Sequence, residues 1–183
     1  MNLANKITMG RLFLIPIFLL SYIYLGIQSF LPGLIFIIAS LTDFFDGYIA
    51  RSRNLVTTFG AFLDPLVDKI LTLSAFIMLV EEGMIPGFIV VIIVARELVI
   101  TGFRTIAASN GVVIAASIWG KYKTTFQMLT IIYFLFVKNI FSFTNTWPIP
   151  LSLIFLVLTL FFTLISALDY LVKNVQVLDL DNI

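Results

Sequence analysis

The sequence predicts an all-α, polytopic membrane protein: a single domain over residues 1–183 with six transmembrane helices and a short N-terminal interfacial helix. Three observations predict it. Of 183 residues, 61% are hydrophobic and only 11% charged, with a mean hydropathy of +1.12, far from the composition of a soluble domain. Six stretches approach the about 20 apolar residues that a bilayer crossing requires. The breaks between them are short and carry turn formers or charges.

Residues 1–10 read as a short amphipathic segment on the membrane surface, with Leu3, Ile7 and Met9 dipping in. Lys6 and Arg11 ahead of an apolar stretch look like the start of a signal peptide, but no small-residue cleavage site follows at a sensible distance, so the segment is read as retained. The spans are placed at about 12–29, 31–50, 58–80, 86–108, 122–140 and 149–171. Gln28, Pro32 and Gly33 make the first break, and Arg51, Ser52, Arg53 and Asn54 the second. Glu81, Glu82 and Gly83 follow, then Ser109, Asn110 and Gly111, then the stretch from Asn139 to Pro148. Basic residues orient the chain. Lys6, Arg11, Arg51, Arg53, Arg104, Lys121, Lys123 and Lys173 fall on the side of the termini and only Lys138 on the other, so the termini are expected in the cytoplasm of a multi-pass cell-membrane protein.

Cysteine and histidine are both absent. Disulfides, thiol and imidazole nucleophiles and the usual zinc and copper sites are thereby excluded, and chemistry falls to carboxylates, hydroxyls and amines. A net charge of +1 gives no reason to expect a nucleic-acid partner.

Acids nevertheless occur inside the spans. Asp43, Asp46, Gly47 and Ala50 recur at i, i+3, i+4 and i+7, one face of the second helix, and Arg51 continues that face toward the boundary. On the third helix Gly60, Asp64 and Asp68 recur at i, i+4 and i+8. A hairpin turning at residues 51–54 brings both stripes to a common depth, about 8 to 15 Å in at 1.5 Å per residue. Near a bilayer centre each Asp costs about 2.5 to 3.5 kcal/mol, so four approach ~10 kcal/mol, less at an off-centre depth. Mutual repulsion leaves protonation or a bound divalent cation as the physical solutions, and an all-oxygen donor set favours Mg²⁺ or Mn²⁺. Pairing of scattered acids with Lys69 or Arg96 would explain neither the helical spacing nor the glycines. Gly47 and Gly60 each cost about 1 kcal/mol of helix propensity and leave room for a ligand or a backbone to come close.

These eight positions, D-x2-D-G-x2-A-R-x8-G-x3-D-x3-D over residues 43–68, match without departure the signature of the CDP-alcohol phosphotransferases, and the chain resembles that family over its length. The resemblance implies a membrane enzyme that moves a phosphatidyl or similar group from a CDP-linked donor to an alcohol and releases CMP, and it suggests a homodimer. It implies that Asp43, Asp46 and Asp64 hold one or two Mg²⁺ or Mn²⁺ ions, that Asp68 is the general base and also touches metal, and that Gly47, Gly60 and Arg51 line the CDP pocket. The chemistry fits: a CDP-linked lipid carries its diphosphate at headgroup level, Arg51 suits a bidentate phosphate contact, and Ala50 beside Gly47 leaves space for the nucleotide. An active site at that depth faces the cytoplasm.

The acceptor alcohol must be read outside this motif. Arg96, Ile100 and Arg104 form one stripe of the fourth span, Glu97 lies nearby, and Lys121, Lys123 and Gln127 open the fifth. One reading has Glu97 neutralise Arg96 while Arg104, Lys121 and Lys123 anchor the cytoplasmic face. The other has Arg96, Arg104, Lys121 and Lys123 form a pocket for an anionic acceptor such as glycerol 3-phosphate. The stretches "ARELVITGFR" at 95–104 and "GKYKTTFQ" at 120–127 resemble the phosphatidylglycerophosphate synthase branch of the family, as does the N-x2-T-x2-R opening formed by Asn5, Thr8 and Arg11. That resemblance implies CDP-diacylglycerol as donor, glycerol 3-phosphate as acceptor, and a place for Thr8 on the nucleotide side. A cardiolipin synthase of the same type, with phosphatidylglycerol as its acceptor, is the alternative within the family. A divalent-cation or proton-coupled transporter is the alternative outside it; the off-centre acids, the lack of an inverted repeat and the adjacent Arg51 stand against that.

Overall fold

The computed structural model describes residues 3–52, 58–109, 111, 114–115, 117–137 and 150–174, and within these it leaves out the side chains of 3–8, 43–52, 58–65, 109 and 137. The described residues form helices joined by turns and short irregular stretches, with no strand among them. In order they form α1 (Leu3–Leu25), α2 (Phe30–Ser52), α3 (Thr58–Glu81), α4 (Gly87–Ser109), α5 (Ile118–Ile132) and α6 (Leu151–Asn174), with α5 running on into one wide π-helical turn, Tyr133–Val137. Each is built from long apolar runs without a β-strand alternation, so helix is the form that satisfies every backbone group within the segment.

Most boundaries match the expected spans within a few residues. The separate interfacial segment expected over residues 1–10 is, from Leu3 on, the first turns of α1, because nothing between Gly10 and Leu12 breaks the helix. The first turn also lies earlier than expected. Gly26, at φ 67°, ends α1, its N–H donating to the Tyr22 carbonyl at 2.9 Å, a left-handed conformation that a side chain would strain. Pro32 and Gly33, expected in that break, sit at the start of α2, where a proline's missing N–H has no intrahelical partner to lose. By length and composition alone, α6 is the described helix apolar enough to cross a membrane, and Met9–Leu25 and Phe30–Thr42 are shorter apolar stretches.

The chain divides into two compact units. The first comprises Met1–Met84 and Ile131–Asn145. Within it α1 packs along α2 and also touches α3, and α2 touches α3 and the π-turn. The Phe18 ring lies edge-on to Tyr22 and tilted against Phe36, with ring centroids 6.1 and 6.0 Å apart, and Ala39, Val67, Leu71, Phe76 and Leu79 are buried with them. Burial of each large side chain contributes about 1.5 to 3 kcal/mol. Arg11, only 1% exposed, lies on the same stripe of α1 as the buried Ile15, Phe18 and Tyr22.

The second unit comprises Ile85–Thr130 and Thr146–Ile183. Here α6 packs against α4. Pairings of Arg96 with Ser166 and of Phe103 with Tyr170 make α4 and α6 parallel. Pairings of Thr130 with Thr159 and of Trp119 with Phe162 make α5 antiparallel to α6. Phe126 stacks on Phe162 at 4.5 Å.

In the first unit, a Cβ at Gly33 would run into the Phe136 ring. Gly33→Ala is therefore expected to destabilise the protein by about 1 to 3 kcal/mol, read as a lowered unfolding temperature in detergent, and Phe136→Leu in the same chain should restore part of the loss.

Candidate functional site

The eight signature positions fall on two helices of the first unit. Asp43, Asp46, Gly47, Ala50 and Arg51 belong to α2, and Gly60, Asp64 and Asp68 to α3. Unbroken helix through both stretches preserves the i, i+3, i+4 and i, i+4, i+8 registers, so each set occupies one stripe of its helix. α2 and α3 are packing neighbours. The side chains of Asp43, Asp46 and Asp64 lie outside the described residues, as do those of Arg51 and Thr8. Asp68 is half-buried, and the Thr72 hydroxyl donates to its backbone carbonyl and to that of Lys69, both at 3.1 Å. Among the described residues no three acids gather as a metal site. As a donor set, however, four carboxylates on two touching helices supply oxygen alone, which fits a hard divalent ion. Thr8 falls one turn before the buried Arg11 on α1.

The acceptor candidates fall in the second unit, and two of them meet at one carboxylate. Glu97 pairs with Arg96 at 3.2 Å and with Lys123, the three side chains being 8%, 10% and 7% exposed. Arg96 reaches across to donate to the Ser166 hydroxyl on α6. Lys123 is thus a buried cation of the interior, although its position near the start of a span marks it in sequence as a boundary anchor. Arg104 is exposed and donates to the Ile114 carbonyl at 3.3 Å, and Lys121 is exposed.

Sequence reasoning passed over the partner side of this cluster. Thr159, Thr163, Ser166 and Tyr170 are buried and recur at steps of four, three and four along α6, a polar stripe in an otherwise apolar helix that periodicity alone could have flagged. Thr130 and Thr159 hydroxyls lie 2.7 Å apart, Thr159 also donates to the Phe126 carbonyl at 3.1 Å, and Thr163 to the Thr159 carbonyl at 2.7 Å. Polar contacts thus run along α4, α5 and α6 from Thr130 down to the arginines.

A family model, CDP-alcohol phosphatidyltransferase, matches residues 1–168. The chain belongs to that family. A Bacillus subtilis CDP-diacylglycerol–glycerol-3-phosphate 3-phosphatidyltransferase is 40% identical over 194 aligned positions that cover 99% of both chains. A Haemophilus influenzae protein of the same name is 42% identical over 71% of this chain and 73% of its own. A Mycobacterium tuberculosis protein named as a probable phosphatidylglycerophosphate synthase is 36% identical over 96% of this chain and 82% of its own. As a CDP-alcohol phosphatidyltransferase, the chain places its signature acids and its buried Arg96–Glu97–Lys123 cluster in different stretches, 43–68 and 96–123.

Removal of the shared carboxylate would leave two buried cations facing each other. Glu97→Gln is expected to lower stability by about 3 to 5 kcal/mol, measured by denaturation in detergent, whereas Glu97→Met with Lys123→Met should cost less than the single change.

Proposed function

We propose that this CDP-alcohol phosphatidyltransferase transfers the phosphatidyl group of CDP-diacylglycerol to glycerol 3-phosphate, giving phosphatidylglycerophosphate and CMP in phospholipid synthesis. The observation that carries the reading is the full-length 40% identity to a relative bearing that name, in a chain that keeps all eight signature positions. The buried cations of α4 and α5 support an anionic acceptor, since neither serine nor choline needs them.

The acceptor hydroxyl oxygen attacks the phosphorus that bears the lipid, and the bond from that phosphorus to the CMP oxygen breaks. Asp68 takes the hydroxyl proton, and because the acceptor attacks directly no covalent enzyme intermediate forms. Asp43, Asp46 and Asp64, with Asp68, would hold one or two Mg²⁺ or Mn²⁺ ions; when bound, these neutralise the diphosphate and the charge left on CMP. Arg51 binds phosphate, and Gly47, Ala50, Gly60 and Thr8 make room for or contact the nucleotide. Arg96, Arg104, Lys121 and Lys123 attract the acceptor's phosphate. The protein works as a six-span cell-membrane enzyme, a homodimer with termini and active site toward the cytoplasm, in keeping with Lys6, Arg51, Arg53, Arg104, Lys121 and Lys173 on that side against Lys138 on the other.

Purified protein given CDP-diacylglycerol and Mg²⁺ should release CMP with glycerol 3-phosphate, and chelation should abolish the release. Conversion of phosphatidylglycerol but not glycerol 3-phosphate would make it a cardiolipin synthase, and no CMP release with any alcohol would favour transport. Asp68→Asn should lower turnover by about 10²- to 10⁴-fold while CDP-diacylglycerol still binds; lost binding would reassign Asp68 to the metal site.

A further inference from the structure

Four buried side-chain atoms in the described part of the second unit have no hydrogen-bond partner there: Arg96 Nε, the Gln127 amide nitrogen, the Tyr170 hydroxyl and Asp169 Oδ2. Two of the four can only donate, and the hydroxyl can donate as well. A buried donor left unsatisfied costs about 1 to 3 kcal/mol, so several together in one layer of helices mark a place where an oxygen-rich group belongs.

Their positions are linked. Gln127, 3% exposed, is one turn along α5 from Lys123, which holds Glu97 beside Arg96. Tyr170, 4% exposed, is one turn along α6 from Ser166, which receives the Arg96 hydrogen bond. Its ring lies edge-on to Phe103 at 6.3 Å, next to Arg104, and the charges of both Arg104 and Arg96 act on its hydroxyl. The local charge is positive: Glu97 is a single carboxylate between two cations, and Asp169 is engaged by Lys173 at 2.6 Å. A ligand here is therefore anionic and rich in acceptor oxygens.

We propose that Gln127 and Tyr170 are specificity-determining residues that donate hydrogen bonds to the oxygens of a glycerol phosphate brought in by Arg96 and Arg104. This rests on the acceptor reading above and deepens it. An uncharged alcohol lacks the phosphate oxygens that would satisfy these donors, so it leaves some of them unpaired and binds less well. The glycerol phosphate could be the free metabolite or a lipid headgroup, and the chemistry of the pocket is common to both.

The test uses full-length protein in detergent with Tyr170→Phe, Gln127→Leu and Gln127→Glu. Tyr170→Phe and Gln127→Leu should each raise KM for glycerol 3-phosphate about tenfold, the equivalent of one hydrogen bond to a charged group, with KM for CDP-diacylglycerol changed by less than about twofold. Gln127→Glu, of equal size but negative, should raise it further. Without donor, glycerol 3-phosphate should raise the wild-type unfolding temperature more than glycerol or inorganic phosphate does, and this shift should shrink in all three variants. Wild-type KM and wild-type ligand shift in both Tyr170→Phe and Gln127→Leu would overturn the inference, as would a parallel rise in both KM values, which marks a merely structural role. Wild-type enzyme that uses phosphatidylglycerol in place of glycerol 3-phosphate would overturn the acceptor reading instead, and the same KM comparison with the lipid would then decide whether these two residues read its headgroup.

Discussion

Charge inside an apolar helix layer is the constraint on which this structure turns. An ion taken from water into a low-dielectric interior costs several kcal/mol unless an opposite charge meets it there. In the second unit Glu97 meets that demand for Arg96 and Lys123 at once. Ser166 takes a further guanidinium proton, so the arginine is held from α6 as well as from its own helix. The polar stripe of α6 follows from the same demand, because Thr159 and Thr163 satisfy hydroxyls and carbonyls that lipid or leucine could not. In the first unit the four signature acids fall on α2 and α3, two helices that touch.

A buried ionic cluster such as Arg96–Glu97–Lys123 works against stability. A well-packed apolar core of equal volume would serve the fold as well or better. Polar groups retained in so apolar a chain therefore indicate binding and chemistry, and the family to which the chain belongs supplies the reaction class they serve. Arg96 and Lys123 share the one carboxylate of Glu97, so that cluster keeps a net positive charge, and the Arg96 Nε donor has no partner among the described residues.

Much of this was legible in the sequence. Helical periodicity placed Asp43, Asp46, Asp64 and Asp68 on two stripes, and the structure keeps both stretches helical. Hydropathy located α3 and α4 within a residue or so, because Glu81 and Gly83 and then Ser109 bound them sharply. It misplaced the start of α5, which begins at Ile118, since charged Lys121 and Lys123 looked like the edge of a span. That Lys123 is buried depends on Glu97, a residue 26 positions earlier, and no local pattern encodes such a meeting. Arg11 failed for the same reason: counted as a boundary charge, it lies on the buried stripe of α1. The turn comes at Gly26 and not at Pro32 because a proline near the start of a helix is no obstacle, whereas a glycine with positive φ ends one.

The π-turn at Tyr133–Val137 has an evolutionary side. Such a turn holds one residue more than an α-helix needs. Loss of a codon there would tighten the coil to ordinary pitch, whereas loss of a codon between Lys123 and Thr130 would swing the later side chains of α5 by about 100° around the helix axis. The segment that follows the polar contacts of α5 is thus tolerant of indels in a way that the contacts themselves are not, and lineages of this enzyme should differ in length at the former and agree at the latter.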